Sequence, residues 1–229
     1  MPILRSSIHA ICVVCIAGAL ITTPAAAAPP LPQRTQSELD LAVLAYASGR
    51  KAEALRSFEA LARQGVPAAQ FNLAVMNIEH EVPHPDAARA LRLLTQSAEG
   101  GFVTAQIMLA RSFESGRFGA RDLKRAMRWY ETAASAGSAE AQVEIATGYY
   151  LGRGVAKDAA QAANWYREAA KQGDIGAQYI LASMYEHGDG VESDLRLARY
   201  WYDIAAQNGD EAAPGKLKEI DARIAAEPG

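Results

Sequence analysis

Cysteine is all but missing from this sequence. Only Cys12 and Cys15 occur in 229 residues, and both fall in one apolar run near the start. A chain that begins beyond that run has no disulfide, no cysteine nucleophile and no thiolate for a metal. Aromatic residues make up only 7%, and there are four histidines. Charge of one sign is missing too: 23 Lys+Arg stand against 26 Asp+Glu. Beyond Arg5 the balance is 22 against 26, a net charge of −4, and no basic stripe stands out. That argues against nucleic acid or an anionic membrane as the main partner. No G-x-S-x-G motif occurs, and the G-x-G of GRGV and GDGV follows helical rather than strand patterns, which excludes a phosphate-cradling loop.

The one long apolar run is AICVVCIAGALI (10–21), shorter than the about 20 apolar residues that span a bilayer. Arg5 precedes it and TTPAAAAPP follows, the order of a secretory signal peptide. The expected cut is after Ala27, with Ala25 and Ala27 at the small-residue positions. Ile11 and Val14 precede the two cysteines, so a lipoprotein-type anchor is not expected. The sequence therefore predicts an exported protein, periplasmic or secreted, with no stable membrane insertion after cleavage.

What the sequence has in abundance is repetition. Ala-Gln recurs at 69–70, 105–106, 141–142 and 177–178, and Gly at 65, 101, 137, 173 and 209. Asp recurs at 86, 122, 158 and 194, Ala at 54, 90, 126, 162 and 198, and Trp-Tyr at 129–130, 165–166 and 201–202. The period is 36 residues without a gap, and a repeat of that length means stacked supersecondary units. Each unit reads as two helices. The first carries apolar residues at helical spacing, such as Ala177, Leu181 and Tyr185, and ends in a glycine turn. The second opens at the recurring Asp, whose carboxylate accepts from orphan N–H groups, and stops at the recurring Gly. Small columns such as Ala162 and Ala170 let helices approach, and Trp and Tyr fill the space between them.

These residues resemble the Sel-one-like repeats (SLR), a branch of the tetratricopeptide superfamily. Units 141–173 and 177–209 match the family pattern almost throughout, with Ala146 and Ala182 where the pattern has its first Gly. The turn of 105–137 reads GRFGA, and 69–101 has Leu93-Leu94 for Trp-Tyr and no turn glycine. The resemblance implies an all-α fold, a right-handed α-α superhelix of antiparallel helix pairs whose first helices line a concave face. The layout it predicts is a signal peptide (1–27), a linker (28–35), a tetratricopeptide-like pair (36–66), four repeats (67–102, 103–138, 139–174, 175–210) and a capping helix with tail (211–229), about eleven helices in all.

One five-residue stretch competes with that reading. HEVPH (80–84) spells H-E-x-x-H, the pattern that holds Zn²⁺ from one helix face in zinc proteases. In repeat phase, however, His80 sits in the column of Gly116, Gly152 and Gly188, so the stretch is a turn. Pro83 and Pro85 also resist a continuous helix. No metal, cofactor or catalytic residue is expected.

The variable columns of the first helices form the candidate partner-binding stripe, because positions three and four apart share a face. They are Phe71, Val75 and Ile78; Ile107, Arg111 and Glu114; Val143, Thr147 and Tyr150; and Tyr179, Ser183 and Glu186. With the family's concave face, they imply a non-enzymatic scaffold or regulator that holds a protein or peptide, an envelope protein or sensor kinase among the partners the resemblance suggests. The alternative from the same family is a cell-wall-associated enzyme or a glycan- or β-lactam-binding protein. β-Lactam binding belongs to cysteine-rich members, whose paired cysteines this chain lacks.

Overall fold

The computed structural model describes residues 30–226, so the expected leader with both cysteines lies outside the described residues. Eleven helices pack as sequential antiparallel pairs, and no strand occurs among the described residues. They are α1 (Gln33–Ala47), α2 (Lys51–Arg63), α3 (Pro67–Ile78), α4 (Ala87–Glu99), α5 (Val103–Ser115), α6 (Leu123–Ser135), α7 (Ala139–Leu151), α8 (Ala159–Lys171), α9 (Ile175–His187), α10 (Leu195–Gln207) and α11 (Ala213–Ala226). None is long and apolar enough to cross a membrane. Among the described residues, those up to Leu109 form one compact unit and those from Ala110 a second, the division falling within α5.

The repeating residues make the helix ends. Asp86, Asp122, Asp158 and Asp194 are N-caps in extended conformation, each accepting from one or two backbone N–H groups of the first turn at 2.9–3.0 Å. Each such cap is worth about 1 kcal/mol. At the other end, Gly152 and Gly188 close α7 and α9 in the left-handed conformation, with φ of 72° and 77°. Two residues later Gly154 and Gly190 do something different. A Cβ on Gly154 would lie 2.5 Å from the Leu123 carbonyl oxygen, and one on Gly190 would collide with the backbone at Ala159 and Ala160. These turns are pressed against the start of the preceding unit's second helix.

In the second unit the core divides the Trp-Tyr pair. Tyr130, Tyr166 and Tyr202 are buried, whereas Trp129, Trp165 and Trp201 are half-buried. The tyrosine is thus the interhelical residue, and the tryptophan lies across the margin of the same clusters. Ala126, Ala134, Ala162, Ala170 and Ala198 are buried, as the small columns require. The recurring glutamine has a polar role. Gln142 and Gln178 donate to the carbonyls of Ala134 (3.2 Å) and Ala170 (3.1 Å), and their Oε1 atoms accept from Gln172 (2.8 Å) and Asn208 (3.0 Å). A buried amide satisfied at both ends fixes one unit on the next.

In the first unit Leu39, Val43, Phe58, Leu61, Val66, Leu73, Met76 and Val82 form the core. Val82 belongs to HEVPH, which is a turn between α3 and α4. His80 has φ of 58°, the one non-glycine residue at positive φ among those described, in the column where later units place glycine. Glu81 accepts from the Tyr46 hydroxyl (2.7 Å) and the Lys51 ammonium (2.5 Å). In the later turns the N–H of the capping Asp donates to the backbone carbonyl of Phe113, Tyr149 or Tyr185. Here the Asp86 N–H turns instead to the side chain of Asn77 (3.4 Å).

Candidate binding face

The second unit carries eight of the stripe residues. On α5, Glu114 accepts from the Tyr130 hydroxyl (3.1 Å) and is ion-paired with Arg153, while Arg111 is ion-paired with Glu140. Glu144 of α7 lies half-buried beside them. Burial first, and then the Glu114 carboxylate, push its pKa above the usual carboxylate range, with Arg111 and Arg153 opposing. Burial and the same two glutamates push the Tyr130 phenol well above its ordinary value. The network sets two arginines against three glutamates, and burial makes Glu144 harder to ionise.

One repeat further along, the acid is replaced. Tyr150 stands where Glu114 stands in its unit, and the buried Tyr166 hydroxyl shares a hydrogen bond with Thr147 instead (2.9 Å). The Tyr150 hydroxyl reaches Asp189 at 3.4 Å, and the Lys157 ammonium lies 5.8 Å from its ring centre. Thr147, Tyr150, Val143, Tyr179 and Ser183 are half-buried. Tyr179 packs edge-on against Tyr202 with ring centres 5.1 Å apart.

Glu186 has a structural position. Its side chain is 4% exposed. It accepts from the Tyr202 hydroxyl on Oε2 (2.8 Å) and from Arg223 on Oε1 (2.8 Å), with the Lys216 ammonium 3.6 Å away. Both cations come from α11, so the buried acid fastens that helix. Nothing local in the sequence marks this, because Arg223 lies 37 residues from Glu186.

In the first unit the stripe is apolar and mostly covered. Phe71, Val75 and Ile107 are buried, and Phe71 packs on Phe102 with ring centres 5.2 Å apart; Ile78 is half-buried. Two open clefts lie away from the stripe. One of about 410 Å³ is lined by Glu59, Arg63, Arg89 and Gln96, and one of about 470 Å³ by Arg167, Tyr185 and Glu192. His80 and His84 share no helix, and among the described residues no group of three or more His, Cys, Asp or Glu is placed to hold a metal ion.

Tandem helix pairs with capped second helices, glycine turns and glutamine bridges between units define a repeat protein of stacked helical hairpins. The Sel1 repeat matches residues 67–102, 103–138, 139–174 and 175–210. The chain belongs to the Sel1 repeat family. Among solved structures it is similar to c5321, described as a protective antigen of uropathogenic Escherichia coli with an SLR fold. Identity is 31% and the TM-score 0.74, over 84% of this chain but only 42% of that one. A Sel1 repeat protein from Oxalobacter formigenes is 30% identical with a TM-score of 0.65, over 81% of this chain and 78% of that one. Curated proteins give no match.

Proposed function

We propose that the chain is a non-enzymatic, exported interaction module that holds a protein or peptide on the inner face of its first helices. The observation that carries this is a contrast within α7 and α9. The repeat-defining Ala146, Leu181 and Ala182 are buried, while Thr147, Tyr150, Tyr179 and Ser183 remain partly exposed. Tyrosine combines large contact area with a polar tip, which suits recognition. The proposal rests on these four with Arg111, Glu114 and Val143, all in the second unit. Phe71, Val75, Ile107 and Glu186 are buried, each packing or anchoring within its own unit. Repeat arrays elsewhere use extended surfaces for binding, and the match of four Sel1 repeats to this chain supports the reading.

The test is capture from envelope extract on immobilised protein. A defined partner should be retained by the wild type and lost with Tyr150→Ala combined with Tyr179→Ala. The rival reading, an enzyme acting on cell-wall glycan, would draw on Glu144, whose pKa burial and the neighbouring Glu114 carboxylate raise. Peptidoglycan turnover by the purified protein, abolished by Glu144→Gln, would replace the binding module with an enzyme.

A further inference from the structure

Counted over the whole chain, charge shows no basic excess, since the net charge is −3. The fold nevertheless concentrates it. The segment RFGARDLKRAMR (117–128) has five cations, Arg117, Arg121, Lys124, Arg125 and Arg128, against the single carboxylate of Asp122. That carboxylate is occupied with capping α6. Arg121, Lys124, Arg125 and Arg128 fall at i, i+3, i+4 and i+7, which places them on one face of α6 and the turn before it. All five cations are exposed. The Arg125 guanidinium itself stacks over the Phe113 ring, 4.1 Å from its centre, which positions that group without neutralising it. Among the described residues none of the five is in an ion pair, whereas Arg111, Arg153, Arg199 and Arg223 are, and the other unpaired cations of this unit, Lys157, Arg167, Arg196 and Lys218, stand singly along the sequence. An unneutralised row of like charge on one helix is unfavourable by itself. It is the feature that a complementary surface would relieve.

We propose that this face of α6 is a second docking surface, separate from the inner face, and that it takes a glutamate- and aspartate-rich segment of a partner protein. Charge complementarity selects an anion, and arginine, the main cation here, pairs with carboxylates through two parallel N–H donors. Two observations favour a peptide over an anionic bilayer. The stripe covers about two helical turns, about 10 Å at 1.5 Å per residue, and the exposed Glu131, three residues beyond Arg128, ends it on the same face. A short acidic segment can lie along the four cations and stop before Glu131, but a flat anionic plane meets that acid as well. No large exposed apolar side chain lies within 117–128 to enter a bilayer.

The experiment measures fluorescence anisotropy of labelled deca-glutamate against the full protein. A parallel flotation assay uses vesicles of equimolar phosphatidylglycerol and phosphatidylcholine. The expected result is saturable peptide binding at low salt, lost near 1 M salt, where the screening length is about 3 Å. Arg121→Glu combined with Arg125→Glu should weaken it at least about tenfold, because like charge then faces the ligand. Lys218→Glu, a charge reversal on exposed α11, should leave it unchanged. Tyr150→Ala with Tyr179→Ala should also leave it unchanged, so that failure here is separable from failure of the inner-face reading. Arg121, before α6, and Arg125, within it, are both at exposed positions, and far-UV circular dichroism checks that the helices are retained. The proposal is overturned by absence of peptide binding, by equal loss in Lys218→Glu, or by vesicles floating the protein while the peptide does not bind.

Discussion

Tyr202→Phe isolates the contribution of one hydroxyl in the core. Tyr202 is 0% exposed, and its ring packs against Tyr179, so phenylalanine keeps the apolar contact and opens no cavity. What is lost is the donor to Oε2 of Glu186, a carboxylate whose side chain is 4% exposed. Hydrogen bonds to charged groups contribute about 1.5–3 kcal/mol, and removing one partner leaves the other desolvated. Arg223 and Lys216 approach Oε1 and cannot serve the vacated oxygen without moving. For a chain of this length each kcal/mol shifts the melting midpoint by about 2–4 °C, giving an expected drop of about 3–12 °C at pH 7. Calorimetry reads it, and a double-mutant cycle with Glu186→Gln separates the coupling from other effects of either change. A variant that melts within a degree of wild type would refute the view that this carboxylate relies on the tyrosine.

Three other perturbations test different features. His80→Gly should raise stability by about 0.5–1 kcal/mol, read as a later urea midpoint, because relief of the left-handed conformation (φ 58°) exceeds the added chain entropy. Gly190→Ala should cost about 2–5 kcal/mol, since its Cβ collides with the α8 backbone, whereas Gly173→Ala, with open space around it, should cost about 1–2 from φ alone. A urea midpoint equal in those two variants would remove the close-approach argument. The third concerns alkaline pH. Burial pushes the phenols of Tyr130, Tyr166 and Tyr202 up. A raised native pKa gives stability that is complete below the unfolded value of about 10 and lost as pH rises through the native one. Denaturation midpoints should therefore fall from about pH 10 upward, less steeply in Tyr202→Phe.

The unit architecture was legible because it is carried by residues that act within a few positions of themselves. Asp caps the helix it precedes, Gly152 and Gly188 close the helix they follow, and the alanine columns recur with the helical phase. The limits came where a side chain acts across units. The Trp-Tyr pair gave no sign that its tyrosine alone would be buried, since the two differ only by one position on the helix. Phe71, Val75, Ile107 and Glu186 looked like their column neighbours yet are covered, because burial depends on what the next helix brings. The charge count missed the α6 stripe by averaging over the chain what helical periodicity gathers on one face. HEVPH was readable as a turn from its phase, but the anchoring of Glu81 by Tyr46 and Lys51 was not.

The glycines pressed against a neighbouring helix start bear on how such a chain changes length. Gly154 meets Leu123 and Gly190 meets Ala159, a distance of 31 positions each time. Adding or removing a single residue between those partners would bring a side chain to the point of contact. Duplicating one whole repeat leaves every glycine opposite the helix start it already fits. Growth or shrinkage of the array is therefore quantised: lineages can gain or shed complete hairpins, while small insertions within 123–154 or 159–190 should be purged.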